Sequence, residues 1–232
     1  GGTAALASTV IMTVVPARVA GVDEVIITTP VAGNSMPHPA VLAAAKIAGA
    51  SRVFKLGGAQ AIAAFAYGTE SVPAVDLICG PGNTWVTAAK KLVFGDVGID
   101  GLFGPTETLV IADDTANPVF TASDLIAQAE HDVAATPILV ALSEQIVDKT
   151  EAEIERQLKR LLRKSTAQSA LENRGVAIIV SSSAEAIEIA NAAAPEHLCI
   201  LTEDANELIE QVRNTGGLFV GEWSAEVMAD YV

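Results

Sequence analysis

Two glutamate–histidine pairs are the strongest candidates for chemistry in this sequence. They are Glu130-His131 and Glu196-His197, and the chain contains only three histidines. An imidazole with an ordinary pKa of about 6.5 suits the removal of a proton from an alcohol at neutral pH, and a carboxylate can activate water. The second pair follows the helix-stopping Pro195 and opens a predicted strand, in which neighbouring side chains point to opposite faces. We therefore expect one member to face a substrate and the other to face a second partner or water.

The place of Glu196-His197 in its strand conflicts with the usual site of an open parallel sheet. Such sheets bind ligands at the carboxyl ends of their strands, whereas this pair lies at an amino end. Two explanations stay open. Either this strand runs antiparallel to its neighbours, or the site spans two subdomains.

The other glutamate–histidine pair, Glu130-His131, lies at the end of a predicted helix. Thr121, followed by Asp124, is a helix start, and Leu125, Ile126, Ala129 and Val133 form the expected buried stripe. Gln128 and His131 are three residues apart on that helix, so their side chains are expected on one face. An amide oxygen and an imidazole can occupy two positions of a zinc shell that residues from elsewhere complete. Glutamine is an uncommon ligand, so the spacing alone leaves a solubilising surface role open.

Two glycine turns each follow a predicted strand and open a predicted helix. The turns are Gly57-Gly58-Ala59-Gln60 and Gly80-Pro81-Gly82-Asn83. Each exposes backbone amides at a helix N-terminus, a place that attracts phosphate, although neither has the Gly-x-Gly-x-x-Gly dinucleotide pattern. As bare glycine turns, both also fit a purely structural role.

Strand-like and helix-like runs alternate along the whole chain, which predicts an α/β fold with parallel strands. The strand-like runs are Glu24–Thr29, Arg52–Leu56, Val75–Cys79, Thr108–Ala112, Pro137–Ala141, Val176–Val180, Leu198–Leu201 and Gly217–Val220. Helices are predicted at Pro39–Ala50, Gly58–Tyr67, Asn83–Val93 and, behind a capping box of Ser182 and Glu185, Ala186–Ala194. The turn-rich stretch Gly95–Pro105 is the predicted boundary between two domains, 1–105 and 106–232.

Composition excludes several classes of protein. Half of the 232 residues are hydrophobic, which excludes a disordered chain, and a net charge of −14 argues against a nucleic-acid partner. No apolar run approaches the ~20 residues of a membrane-spanning helix, so we expect a soluble protein with no membrane partner. Cys79 and Cys199 lie far apart in apolar runs, which predicts two buried thiols in a reducing compartment.

Several motifs together resemble the histidinol dehydrogenase family over the whole chain. They are Lys55-Leu-Gly-Gly-Ala-Gln-Ala-Ile-Ala63, Cys79-Gly-Pro-Gly-Asn83, Gly104-Pro-Thr-Glu107, Ala127-Gln-Ala-Glu-His131, Ala194-Pro-Glu-His-Leu198 and Ala229-Asp-Tyr231. The resemblance implies two incomplete Rossmann-like domains with mainly parallel sheets. The first would bind NAD and the second would carry most of the zinc, substrate and acid/base residues, with the site in a cleft between them.

The resemblance also implies an activity and a set of site residues. The family oxidises L-histidinol to L-histidine through histidinaldehyde, reduces two NAD in succession and uses zinc to position the substrate. Glu196 and His197 resemble the catalytic acid/base pair, and Gln60 and Asn83 resemble the NAD contacts. Gln128, His131 and Asp230 resemble three zinc ligands. The same three residues, together with His197 and Thr106, resemble the substrate contacts. Many relatives have a serine at the position of Thr106.

The chain resembles the central part of a longer enzyme, without the family's C-terminal zinc-ligand histidine. The resemblance implies a homodimer in the full-length protein and a cytoplasmic location, or a plastid location in a plant-type source. A rival hypothesis is a catalytically incomplete α/β fragment with a broken zinc site, which a zinc titration with and without histidinol distinguishes. A zinc hydrolase with Glu196 as the water activator is a third hypothesis, which leaves Gln60 and Asn83 without a role.

Overall fold

A computed structural model of the protein describes residues 6–31 and 35–229. The chain divides into two compact units, Gly1–Gly104 and Pro105–Val232, called here the first and second unit. Both alternate helices with parallel strands, which confirms the predicted α/β class with mainly parallel sheets.

The first unit contains two small parallel sheets and four helices among its described residues. Strand β1 pairs with β2, and β3 pairs with β4. In chain order the elements are α1 (Ala7–Val19), β1 (Ile26–Thr28), α2 (Pro39–Ala48), β2 (Arg52–Phe54), α3 (Gly58–Tyr67), β3 (Leu77–Ile78), α4 (Thr84–Val93) and β4 (Gly98–Ile99).

The second unit is built around a five-stranded parallel sheet in the order β7-β6-β5-β8-β9. This is the strand order of a doubly wound Rossmann-like sheet. The order in which strands are added reverses between the first and fourth strands, here β5 and β8, and all strands remain parallel. The elements are β5 (Glu107–Ala112), α5 (Pro118–Ala129), β6 (Thr136–Ala141), α6 (Glu144–Leu158), α7 (Lys164–Arg174), β7 (Val176–Ile179), α8 (Ser183–Ala193), β8 (His197–Leu201), α9 (Ala205–Leu208) and β9 (Gly217–Val220).

Strand β5 lies at the centre of this sheet because both of its faces are apolar. Leu109 and Ile111 pack in one cluster of buried side chains, and Val110 and Ala112 pack in another. All four are completely buried. A continuous aliphatic run of this kind is typical of a strand covered by helices on both sides. Because the run is held in the core, it positions Thr108 at the amino end of the strand.

Helix α5 differs from the prediction at both ends. It begins at Pro118, behind the N-cap Asn117, whose side chain accepts a hydrogen bond from the backbone of Val119. A cap followed by proline at the first helical position is a stronger start than Thr121, which lies buried inside the helix. The helix ends at Ala129, so the expected stripe stops there and Val133 is 55% exposed.

One of the two predictions of a buried thiol is wrong. Cys79 lies just beyond the end of β3 at Ile78 and is exposed, whereas Cys199 is buried as predicted. The turn-rich stretch Gly95–Pro105 contains the point at which the two units divide, and it also contains the short strand β4, which was not predicted and pairs with β3 through Gly98 and Ile99. No helix of the described segments is long and apolar enough to cross a membrane.

Candidate active site

The candidate site lies at the amino edge of the two central strands of the second unit. His197 is the first residue of β8 and is aligned with Thr108, the second residue of β5. Strand β8 is parallel to both of its neighbours, so the explanation that this strand runs antiparallel is wrong. The pair lies at the amino end of a parallel strand.

Helix α5 brings two polar side chains to the same edge. A helix that connects two parallel strands runs back along the sheet, so its last turns return to the amino ends. Asp124 and Gln128 lie four residues apart on its inner face and are 9% and 4% exposed. Gln128 Nε2 lies 2.8 Å from His197 Nδ1, which joins the helix to the histidine.

Glu226 completes the cluster from a part of the chain that the sequence analysis did not single out. It begins a short 3-10 helix after β9, and its side chain is buried. Thr108 Oγ1 donates a hydrogen bond of 2.9 Å to Glu226 Oε2. The same carboxylate oxygen lies 3.7 Å from His197 Nδ1. An amide and a carboxylate therefore face one imidazole, and a hydroxyl holds the carboxylate.

Burial raises the pKa of both carboxyl groups in this cluster. The pKa of Asp124 rises to about 6 because the side chain is desolvated. The pKa of Glu226 rises to about 7 because burial outweighs the hydrogen bonds from Thr108 and Gln128, and the negative charges of Asp124 and Glu196 add to the rise. Raised carboxyl pKa values of this kind cluster at functional sites.

Asp124 makes the stability of the protein fall as the pH rises. An acid whose pKa is higher in the folded state binds more protons when folded, so unfolding becomes easier between the unfolded and folded pKa values. We expect Asp124→Asn to be about as stable as the wild type below pH 3.8 and more stable above about pH 6. The expected gain is about 1–3 kcal/mol.

Urea unfolding at several pH values measures this difference. Asp148→Asn, on the exposed face of α6, makes the same chemical change outside the cluster and serves as the control. A constant difference between Asp124→Asn and the wild type from pH 4 to pH 8 contradicts the assignment of the raised pKa to Asp124.

The backbone on both sides of Glu196-His197 is tightly constrained. Helix α8 ends at Ala193, and its C-cap residue Ala194 adopts a left-handed conformation with φ of 48°. The backbone oxygen of Glu196 accepts a hydrogen bond from Gly217. A Cβ atom on Gly216 would lie 2.7 Å from that same oxygen, so this position requires glycine for the close approach of the two backbone segments.

Gly216→Ala is therefore expected to destabilise the second unit by about 1–3 kcal/mol, the usual effect of overpacking. The added methyl must displace the backbone of Glu196, and the amino end of β8 moves with it. Gly104→Ala is the matched control, because a Cβ there meets no atom within 4 Å. Chemical denaturation compares the two variants, and equal stabilities contradict the predicted clash.

The structure brings together some of the residues predicted from the sequence and leaves others apart. Gln128 and His197 are in contact. His131 lies two residues beyond the end of α5 and is exposed, whereas Gln128 is buried; the His131 backbone nitrogen still donates a hydrogen bond to the Gln128 backbone oxygen. Thr106 is half-buried just before β5, and its backbone oxygen pairs with Thr136. Asp230 lies outside the described residues.

The predicted nucleotide turns of the first unit precede α3 and α4. Gln60 is exposed in the first turn of α3, and Gly58 before it has a φ of +70°. Asn83 caps α4 through its side-chain oxygen, which accepts from the backbone of Trp85 and Val86. Its amide NH2 group is then the part that can contact a ligand.

An ion pair with a buried lysine stabilises the turn before α4. Lys90, only 2% exposed, pairs with Asp100 and also donates to the backbone oxygen of Gly80. Asp100 in turn accepts a hydrogen bond of 2.6 Å from the Gly80 backbone nitrogen. No sequence motif points to this pair, because neither residue carries a local signal and the two meet only through the fold.

Of the two missed carboxylates of the central cluster, only one had a signal in the sequence. Asp124 interrupts an apolar helical stripe four residues before Gln128, which places both on the buried face. Glu226 lies 118 residues from Thr108 in sequence, in a short polar segment without periodicity. Within the described part of the chain, no three His, Cys, Asp or Glu side chains form a group that could hold a metal ion.

This arrangement defines an α/β protein with a Rossmann-like parallel sheet and a cluster suited to proton transfer at the amino edge of its central strands. A family model described as histidinol dehydrogenase matches residues 1–232. The chain belongs to the histidinol dehydrogenase family, as the motifs predicted.

Individual relatives agree with this assignment. The chain is 53% identical to histidinol dehydrogenase from Deinococcus radiodurans and 52% identical to that from Thermus thermophilus. These matches cover 100% of this chain and 53% and 55% of the two relatives, so the chain spans about half of their length. A crystal structure of histidinol dehydrogenase from Elizabethkingia anophelis superposes with a TM-score of 0.93 at 41% identity, covering 100% of this chain and 54% of that one.

Proposed function

We propose that this chain forms the central part of an enzyme that oxidises L-histidinol to L-histidine through histidinaldehyde, with NAD as the oxidant. The observation that carries the proposal is the position of His197, an imidazole held by Gln128 and faced by Glu226 at a half-buried edge of the sheet. Membership of the histidinol dehydrogenase family supports the same substrate.

In this proposal His197 moves the proton of the alcohol step. The hydroxyl of histidinol loses its proton to the imidazole while its carbon loses a hydride, which leaves the aldehyde. The nicotinamide of NAD supplies the hydride acceptor. Partial burial of His197 reduces competition from bulk water, and the aromatic edge of Phe219 packs against the ring, with centroids 5.8 Å apart.

Glu196 is the base that we assign to the second oxidation. An aldehyde must first add water, and water is a poor nucleophile until a base takes its proton. Glu196 is exposed whereas its neighbour His197 is half-buried, so a carboxylate is available on the wetter side of the pair. The hydrate then loses a hydride and becomes the acid.

The Gln128 side chain fits a bound zinc ion. Its Oε1 atom is buried and has no hydrogen-bond partner, and such an amide oxygen can ligate zinc or donate electron density to a cation. In the proposal, Gln128, His131 and Asp230 hold zinc and bind the substrate. Zinc would supply a template that orients the imidazole and amine of histidinol.

The glycine turns of the first unit fit a dinucleotide. Gly80 has a φ of +119° and open space where a Cβ would stand, so a ligand can approach the backbone closely there, while the Gly80 N–H itself is donated to Asp100. We propose that Gln60 and Asn83 contact NAD, and that Thr106 contacts the substrate with its hydroxyl. By this proposal residues 1–105 are the NAD-binding domain and 106–232 the substrate domain, in a homodimer at full length.

NADH formation tests the proposed function in a version of the protein extended to the length of its relatives. We expect absorbance from NADH on addition of histidinol, and loss of that signal with a zinc chelator. Hydrolysis of an ester or amide without NADH formation contradicts the proposal and favours a zinc hydrolase.

A further inference from the structure

The turn Gly80–Asn83 is held by two side chains from farther along the chain. Helical side chains tilt toward the N-terminus of their helix, so Lys90, in the second half of α4, reaches back to Gly80. Its ammonium group donates a hydrogen bond of 3.1 Å to the Gly80 backbone oxygen and pairs with the Asp100 carboxylate. Asp100 accepts a hydrogen bond of 2.6 Å from the Gly80 backbone nitrogen. The ion pair therefore binds both the N–H and the C=O of Gly80.

The ion pair extends the junction of β3 and β4 beyond their last paired residues. Strand β3 ends at Ile78, and the backbone nitrogen of Asp100, directly after β4, donates to the Ile78 oxygen. Two residues later Gly80 has a φ of +119°. Holding one residue in a single backbone conformation is entropically costly. The contacts from Lys90 and Asp100 offset that cost and keep the turn in one shape.

The burial of the Lys90 charge is unusual for a residue that only fills space. Lys90 is 2% exposed, and lysine is almost never fully buried unless it is paired. The ring of Phe103 covers the ammonium group, with 5.2 Å between the nitrogen and the ring centroid. The Thr87 hydroxyl donates to the backbone oxygen of Phe103 and holds this cover against α4. An apolar side chain would fill the same space without the desolvation cost of a charge, so the charge itself needs a reason.

The negative charge of Asp100 supplies that reason. The pyrophosphate of a dinucleotide is anionic, and an uncompensated carboxylate beside the turn repels it. We infer that Lys90 is a positioning residue of the turn Gly80–Asn83, which neutralises Asp100 and fixes Gly80 so that the turn can receive the pyrophosphate of a dinucleotide. The inference rests on the proposed role of this turn in binding NAD.

Fluorescence titration with NAD, in the protein extended to the length of its relatives, tests this inference. We expect Lys90→Met to raise the Kd for NAD about tenfold, the loss typical of a hydrogen bond to a charged group. The rate at saturating NAD should change by less than about twofold, because the proposed base His197 belongs to the second unit. Lys91→Met makes the same chemical change at the next, exposed residue and should leave the Kd unchanged.

A double variant separates charge neutralisation from a purely structural role. Asp100→Asn, added to Lys90→Met, removes the uncompensated charge, and its amide oxygen can still accept from the Gly80 N–H. We therefore expect the double variant to recover most of the affinity for NAD that Lys90→Met loses. A purely structural role predicts that the second substitution weakens binding further or leaves it unchanged.

The Cys79 thiol reports the same charges in the present chain without NAD. Desolvation and the charge of Asp100 raise the pKa of this thiol, and Lys90 lowers it. The pH dependence of the reaction with an aromatic disulfide reagent measures that pKa, since Cys199 is buried and should not react. Lys90→Met should raise the thiol pKa further, and the double variant should bring it back down.

An unchanged Kd in Lys90→Met, or a double variant that binds NAD no better than Lys90→Met, overturns the inference. Lys90→Gln keeps a donor for Gly80 without the charge, should raise both the Kd and the thiol pKa, and replaces Lys90→Met if that variant does not fold. A wild type that does not bind NAD overturns the proposed function instead. The thiol pKa values then decide separately whether Lys90 neutralises Asp100.

Discussion

His197→Asn is expected to slow the oxidation of both histidinol and histidinaldehyde by about 10²–10⁴-fold, the usual cost of removing a general base. The substitution removes the ring whose Nδ1 lies 2.8 Å from Gln128 and faces Glu226. NAD affinity should stay within about twofold, because the proposed cofactor contacts Gln60 and Asn83 belong to the first unit. Steady-state rates with each substrate and fluorescence titration with NAD measure both effects.

His38→Asn is the matched control for this experiment. His38 is exposed and caps α2 by accepting a hydrogen bond from the backbone of Ala40. Asparagine caps helices well, so this variant should keep its fold and its rate. If the His197→Asn protein oxidises either compound at a near-normal rate, His197 is a packing residue and not the base.

Glu196→Gln is expected to separate the two oxidations. The amide keeps the shape of the side chain and loses the basic oxygen, so addition of water to the aldehyde should slow by about 10²-fold or more. The alcohol step needs no water and should change far less. Single-turnover NADH formation from each substrate gives the two rates independently.

Glu188→Gln removes a carboxylate from the exposed face of the neighbouring helix α8 and is the control for net charge. It should leave both rates unchanged. Equal slowing of the two steps by Glu196→Gln, or slowing of the alcohol step alone, defeats the assignment of water activation to Glu196.

Much of the fold could be predicted because its signals are local. Helix α3 was predicted at its observed bounds, Gly58–Tyr67, from a glycine turn and an alanine-rich run. Ser182 accepts a hydrogen bond from the backbone of Glu185, and the Glu185 carboxylate accepts from the backbone of Ser181, so the predicted capping box is confirmed in its essentials. The two-residue strand β4 was missed, because so short a run has no periodicity and forms only through pairing with β3.

The candidate site was less predictable than the fold, since its contacts join distant parts of the chain. The sequence identified His197 and Gln128 separately, but it gave no sign of their contact, because the two positions are 69 apart in the chain. Glu226 gave no signal, because its role depends on burial against Thr108. The helical stripe was predicted too long, because α5 ends at Ala129 and His131 lies in the turn that follows.

The number of NADH molecules formed per histidinol consumed tests the central proposal most directly. A limiting amount of histidinol is incubated with excess NAD and the length-matched protein, and NADH and histidine are quantified at completion. A four-electron oxidation at one site predicts two NADH and one histidine for each histidinol. One NADH with accumulated aldehyde, or no NADH at all, would contradict the account.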